Sequence, residues 1–83
     1  MNGLEELRVS YHEILPFSRP TYRGENHEVG KTYWSAYWGY TYTVVALSGY
    51  QVTCRKADGF TWSHMTPLES RDRVVIAGKY LNS

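Results

Sequence analysis

Aromatic side chains crowd one short stretch of this chain, and such rings can stack on a ligand or a partner. Six of the ten residues between positions 33 and 42 are aromatic in a chain of 83 residues. A domain of this size buries only about 60–65% of its unfolded surface. We therefore expect some of these rings to pack in the core and others to stay exposed, where Trp and Tyr form binding hot spots. The run comprises Tyr33, Trp34, Tyr37, Trp38, Tyr40 and Tyr42.

A second set of residues has the types needed for covalent catalysis. Cys54, His64 and Asp58 could serve as nucleophile, base and orienting acid. Cys54, however, alternates with Val52 along a predicted strand, which is typical of a small core residue. A domain this short also offers little concave pocket. We therefore expect no catalytic residues and no enzyme activity.

Metal and cofactor motifs are missing from the sequence. His12, His27 and His64 are widely separated, and Cys54 is the single cysteine. No Cys-x-x-Cys or His-x₃-His spacing occurs, and no glycine-rich phosphate loop is present. The sequence predicts no metal and no cofactor.

The charge of the chain argues against a nucleic-acid channel. The formal net charge is +1, far from the basic footprint of most nucleic-acid binders. Four basic residues lie at the ends of predicted strands, where they would either form a small basic patch or a solvated face with ordinary ion pairs. These residues are Arg55, Lys56, Arg71 and Arg73.

The compartment is indicated by what the chain lacks. A single cysteine allows no internal disulfide, which suits a reducing environment. The first residues show no signal-peptide pattern, and no apolar stretch approaches the roughly 20 residues that cross a bilayer. The sequence therefore predicts a cytoplasmic protein without a membrane partner.

The chain divides into an N-terminal arm and loop, residues 1–27, and a β-patterned body, residues 28–83. The arm either adds a strand at about 6–12, which alternation favours, or forms a short helix, which the spacing of its apolar residues also fits. Pro16 and Pro20 end any regular element, so 16–28 is expected to be an irregular loop.

The body shows five short strands separated by turn signals. They are predicted at 29–34, 40–47, 50–56, 60–64 and 72–77, and Asp58-Gly59 marks a hairpin between two of them. This spacing predicts an all-β fold, a small five-stranded barrel, because closure removes exposed strand edges.

The order of these elements resembles the SH3-like small barrel in its Tudor or KOW variety. Val29-Gly30 opening a strand, then a loop, a long strand, two hairpins and a short turn carry the resemblance over residues 28–77. The stretch from Asp58-Gly59 to Val74-Val75 is also similar to small uncharacterised phage proteins. That second likeness implies a phage protein acting in the host cytoplasm, where it would bind and occlude a host enzyme or defence factor.

The Tudor resemblance implies an aromatic cage for a methylated Lys or Arg. By position its rings would be Trp34, Tyr37 and Trp38 from the first loop, with Phe60 and Trp62 from a later strand. No acidic residue or Asn lies within 33–42 to hold the cation, which argues against such a cage. The KOW resemblance implies contacts with RNA or a polymerase.

The faces of the strands suggest which rings are free. Tyr40 and Tyr42 share a strand face, whereas Tyr33 and Trp34 are adjacent, so one of them must point away from the core. We expect the rings in or beside the loop to be exposed.

Three functions are compatible with this pattern. The first is a non-catalytic protein-binding module, with self-association as one form of it. The alternatives are single-stranded nucleic-acid binding, with backbone contacts from Arg55, Lys56, Arg71 and Arg73, and a structural or assembly role. The expected partner-binding residues are Trp34, Tyr37, Trp38, Tyr40 and Trp62.

Overall fold

The fold is built mainly from strands rich in Tyr, Thr and Val, residues that favour a pleated surface. The computed structural model describes residues 8–76, 78, 80 and 81. A one-turn helix, α1 (Tyr11–Ile14), runs into a 3₁₀ turn (Leu15–Phe17). The strands are β1 (Ser18–Pro20), β2 (Thr32–Trp34), β3 (Thr41–Ser48), β4 (Gln51–Arg55), β5 (Thr61–Met65) and β6 (Arg73–Val75).

All six strands form one antiparallel sheet in the order β1-β6-β2-β3-β4-β5. The predicted all-β class is confirmed. The sheet has six strands where the sequence predicted five, because Ser18–Pro20 from the arm pairs with β6. Within the described part of the chain β1 and β5 are the two edges, so the sheet is not closed into the predicted barrel.

One face of the sheet carries the larger core. Val52 and Cys54 of β4 point into it, as their alternation predicted, and they meet Tyr42 and Val44 from β3. Tyr33 of β2 is also fully buried there. Val74 and Leu68 complete this core, and Trp62 packs against it.

The opposite face carries a second, smaller core that the arm supplies. Ile14 of α1 and Val9 pack against Trp34 and Val75. The indole Nε1 of Trp34 donates a hydrogen bond to the carbonyl oxygen of Val9 at 2.8 Å, which ties the arm to the sheet. Burial of Trp34 follows from this arrangement, and only 5% of it is exposed.

The arm adopts the short helix, the second of its two predicted forms, and not the strand that alternation favoured. Of the predicted strand at 6–12, Arg8 forms a single bridge with Tyr40, while residues 6 and 7 lie outside the described residues. A helix follows instead because Ser10 and Glu13 form a capping box, each side chain bonding the other's backbone N–H. The predicted loop at 16–28 was wrong where β1 forms; Pro20 is tolerated because it lies on a sheet edge.

Two other predicted strands are shorter in the structure. The first begins at Thr32 and not at 29, because Gly30 turns the chain at a φ of +90°. The last spans Arg73–Val75, and residue 77 of the predicted strand lies outside the described residues. The long strand β3, the β4–β5 hairpin and the loop at 35–39 match their predictions.

A pair of matched substitutions separates a core ring from a surface ring. Trp34→Phe removes the indole N–H and leaves the buried Val9 carbonyl without its donor. We predict that it lowers the free energy of unfolding by about 1–3 kcal/mol. Tyr37→Phe, at an exposed position, should change it by less than about 0.5 kcal/mol. Urea unfolding measures both values, and equal losses would contradict the second core.

Candidate functional site

Four rings from two separate parts of the chain meet at the border of the larger core. Trp38 stacks on Tyr40 with ring centroids 5.7 Å apart and planes 2° from parallel. Trp62 of β5 meets Trp38 and Tyr40 edge-on at 5.8 and 5.7 Å, and Phe60 stacks on Trp62 at 6.3 Å. We call these four residues the ring cluster. It joins the loop between β2 and β3 to strand β5.

The loop at 35–39 is held as a closed turn. The hydroxyl oxygen of Ser35 accepts a hydrogen bond from the backbone N–H of Trp38 at 3.1 Å. The Ser35 carbonyl accepts the N–H of Gly39 at 2.8 Å, and Gly39 takes a φ of +75°, which glycine adopts at little cost. The direction of the Trp38 side chain is therefore set by the backbone before any partner arrives.

The β4–β5 hairpin positions the other half of the ring cluster. The carboxylate of Asp58 accepts the N–H of Phe60 at 2.9 Å and shapes the predicted turn. Trp62 lies opposite Cys54 in the strand register. Lys56 places its ammonium 4.8 Å from the Tyr40 ring centroid and 5.0 Å from that of Phe60, in cation–π contact with both.

The structure divides the predicted partner-binding residues into exposed and buried groups. Tyr37 is 76% exposed and Trp38 37%, as expected of the loop, and Trp62 is partly buried. Trp34 and Tyr40 are buried, at 5% and 7% exposure. The expectation that Trp34 is exposed was wrong, because the arm covers the second face of the sheet.

An open cleft of about 330 Å³ lies next to Trp38. It separates the 35–39 loop from the segment that connects β5 to β6. Tyr37 and Trp38 line it from the loop, Met65 lines it from the end of β5, and Pro67 lines it from the connecting segment. The remaining lining residues are His27, Ser35, Tyr42, His64, Glu69 and Asp72.

The carboxylate of Asp72 links the two sides of this cleft by hydrogen bonds. Its Oδ1 accepts the backbone N–H of Ala36 at 2.9 Å, and its Oδ2 accepts that of Glu69 at 3.2 Å. Burial raises the pKa of Asp72, while the two backbone N–H groups act in the opposite direction. These two hydrogen bonds fix the loop that carries Tyr37 and Trp38 relative to the segment between β5 and β6 that carries Glu69.

His27 supports the cleft from the side of the core. Its Nε2 lies 2.9 Å from the hydroxyl of Tyr42, and its Nδ1 lies 3.2 Å from the Thr66 hydroxyl. Burial, and then the neighbouring His64, lower the pKa of His27 to about 4. Burial also lowers the pKa of His64 and raises that of Tyr42. At neutral pH these three groups are uncharged.

The described lining of the cleft therefore holds carboxyl groups and no cationic side chain at neutral pH. Glu69 and Asp72 supply carboxyl groups, both imidazoles are neutral, and no Lys or Arg is among the described lining residues. Such a cleft repels a phosphate or carboxylate and attracts a cation. Aromatic faces add to that preference, because the ring quadrupole also attracts positive charge.

The four basic residues proposed for a nucleic-acid backbone do not form one patch: Arg71 and Arg73 share a groove, and Lys56 lies apart from them. Lys56 lies on the rings of the ring cluster, next to the larger core. Arg73 lies on the opposite face, 5.7 Å from the Tyr11 ring centroid, and its Nε donates to the Ser18 hydroxyl at 2.7 Å. Arg71 lines a separate groove next to Arg73, and Arg55 is exposed at the end of β4.

Cys54, His64 and Asp58 do not form a catalytic arrangement. The Cys54 sulfur is 4.0 Å from His64 Nδ1, but that nitrogen already accepts the indole N–H of Trp62 at 3.0 Å. Burial raises the pKa of Cys54 to about 12, whereas a nucleophile needs a lowered one. Asp58 is engaged in the hairpin turn.

The described residues contain neither a metal-binding cluster nor a membrane-spanning helix. No group of three or more His, Cys, Asp or Glu side chains is placed to hold a metal ion among them. None of the helices in the described part of the chain is long and apolar enough to cross a membrane.

Several cleft residues were missed by the sequence analysis. His27 was treated only as an isolated histidine, and Asp72 only as a neighbour of two arginines. Both line the cleft together with Glu69 and Pro67. Their separation along the chain leaves no spacing signal, because only the pairing of β2 with β6 and the turn before β6 bring them together.

We predict that His27 makes the protein less stable in acid. Its pKa is about 4 when folded and 6.5 in a free histidine, so between these values the unfolded chain binds a proton that the folded chain does not. The free energy of unfolding therefore falls as the pH drops from 6.5 to 4, by up to about 3 kcal/mol. His27→Gln should flatten this part of the pH profile of urea unfolding. Parallel profiles for the two proteins would contradict the assignment.

Comparisons with protein-family models, with curated proteins and with solved structures each found no match. The likeness to an SH3-like barrel, which rests on element lengths and turns, stays a prediction.

Proposed function

We propose that this domain is a non-catalytic protein-binding module whose partner inserts a Lys or Arg side chain into the cleft. The observation that carries the proposal is the lining of that cleft. The exposed rings of Tyr37 and Trp38 line it together with the carboxyl groups of Glu69 and Asp72, and no Lys or Arg is among the described lining residues.

The energetics favour a cationic side chain over a neutral one. A cation over an exposed aromatic face gains about 0.5–1 kcal/mol, and more when it is desolvated. Trp38 is held by its turn and by stacking on Tyr40, so little side-chain entropy is lost on binding. Rigid Trp and Tyr side chains of this kind carry most of the energy in protein interfaces.

A protein partner fits this surface better than a nucleic acid does. Phosphates would meet Glu69 and Asp72 in the cleft. The basic residues that would neutralise them are divided between the two faces of the sheet. An inhibitor of a host enzyme, the role suggested by the resemblance to phage proteins, is one form of this proposal.

The proposal is tested by titrating ¹⁵N-labelled protein with N-acetyl-arginine amide and N-acetyl-lysine amide. N-acetyl-glutamate amide is the control of opposite charge. We expect the cationic amides to shift the backbone N–H signals of Ala36 and Glu69, which bond Asp72, and the indole signal of Trp38. The glutamate amide should leave these signals unchanged, because it carries the charge that the cleft repels.

Variants locate the binding energy. Tyr37→Ala and Glu69→Gln should each weaken binding of the cationic amides about 2–5-fold, the loss of one cation–π contact or one charge. Tyr50→Ala is the matched control, since Tyr50 is 75% exposed, close to Tyr37, and does not line the cleft. Equal effects of Tyr37→Ala and Tyr50→Ala would overturn the site. Salt-sensitive binding of oligothymidine, without binding of the cationic amides, would overturn the class of partner.

A further inference from the structure

Strand β5 leaves one side of its backbone unpaired. Its inner neighbour is β4, and within the described residues no strand lies on its outer side. The N–H of Lys56 bonds the carbonyl of Phe60, and the N–H of Thr66 bonds the carbonyl of Tyr50. The even-numbered residues of this hairpin therefore direct their backbone N–H and C=O groups towards the other strand of the hairpin. Backbone groups alternate along a strand. Thr61, Ser63 and Met65 therefore direct their N–H and C=O groups outward.

The other sheet edge is protected, and β5 is not. Strand β1 is three residues long and carries Arg19 and Pro20, which discourage pairing with another strand. Strand β5 has five residues, and the segment from 60 to 66 contains neither Asp, Glu, Lys, Arg nor Pro. The devices that keep natural edges from pairing are missing here.

The outward groups match a second copy of the same strand. Antiparallel pairing about a two-fold axis at Ser63 places Ser63 opposite Ser63 and Thr61 opposite Met65. Each facing pair then exchanges two hydrogen bonds, because the outward residues of both copies coincide in this register. Trp62 lies opposite the partner copy's His64, and no like charges meet along the axis.

We propose that this protein forms a two-fold symmetric dimer through β5, which joins two sheets into one continuous antiparallel sheet. The two-fold axis is perpendicular to the sheet, so the clefts of both copies lie on the same side of the joined sheet. The dimer uses the backbone edge of β5; His64 and Met65 of the same strand also line the cleft, but the strand pairing needs no ligand there. The occupant of this edge is a second copy, because two such strands carry no like charges to repel one another and pair with the outward N–H and C=O groups of residues 61, 63 and 65 all bonded.

Molar mass measured by light scattering tests the dimer. Across about 10 µM to 1 mM, the range in which modest associations are populated, the mass should rise from 9.6 kDa towards twice that value. Amide hydrogen exchange should slow with concentration at Thr61, Ser63 and Met65, whose N–H groups become bonded. Exchange at Trp62 and His64, already paired with β4, should not change with concentration.

Two substitutions of Ser63 test the register of the proposed pairing between the two β5 strands. Ser63→Lys brings two ammonium groups together at the axis and should weaken dimerisation about tenfold or more. Ser63→Pro removes the outward N–H, which the monomer does not use, and should abolish the dimer while the fold persists. Ser48→Lys, at an exposed sheet position on β3, is the control and should dimerise normally. A mass of 9.6 kDa throughout, or equal dimerisation by Ser63→Lys and Ser48→Lys, would overturn the proposal.

Discussion

The fold depends on two adjacent rings that must be buried on opposite faces of one short strand. Tyr33 and Trp34 alternate across β2, and each is almost completely buried. Leaving either ring exposed would forfeit the burial of a large apolar surface, so both faces of the sheet must be covered. The arm covers the second face through Val9 and Ile14, and it also brings β1 to the edge of β6. Within the described residues the extended sheet ends in two edges, β1 and β5. Strand β5 is the edge that carries no Asp, Glu, Lys, Arg or Pro.

The exposed rings of the aromatic run lie at the border of the larger core, beside the cleft. Trp38 and Trp62 meet where the 35–39 loop approaches β5, and Tyr37 extends the surface into solvent. The buried carboxylate of Asp72 holds this loop against the turn before β6, and its charge contributes to the cleft that it shapes. The Asp72 carboxylate therefore both holds the loop in place and lines the cleft. Neutral His27 adds no positive charge to the lining of the cleft.

Local patterns in the sequence were sufficient for the parts of the fold that local interactions determine. The Tyr, Thr and Val content of β3, the alternation of Val52 and Cys54, and the Asp58-Gly59 turn predicted three elements that the structure contains. Alternation could not reveal that Trp34 is buried, since it assigns faces without showing what covers them. The short helix was one of the two forms predicted for the arm, and periodicity alone could not choose between it and the strand; the capping box of Ser10 and Glu13 decides for the helix. The cleft was missed because residues from 27 to 72 meet there only through long-range pairing.

The aromatic run is divided between four buried rings and the exposed pair Tyr37 and Trp38, and the three tryptophans report on this division directly. In protein labelled with 5-fluorotryptophan, ¹⁹F NMR resolves Trp34, Trp38 and Trp62 separately. Exchanging H₂O for D₂O and adding N-acetyl-arginine amide should move the Trp38 resonance, and Trp62 to a smaller extent. Trp34, buried against Val9, should respond to neither change. A Trp34 resonance that shifts with solvent or with the amide as strongly as that of Trp38 would contradict the account.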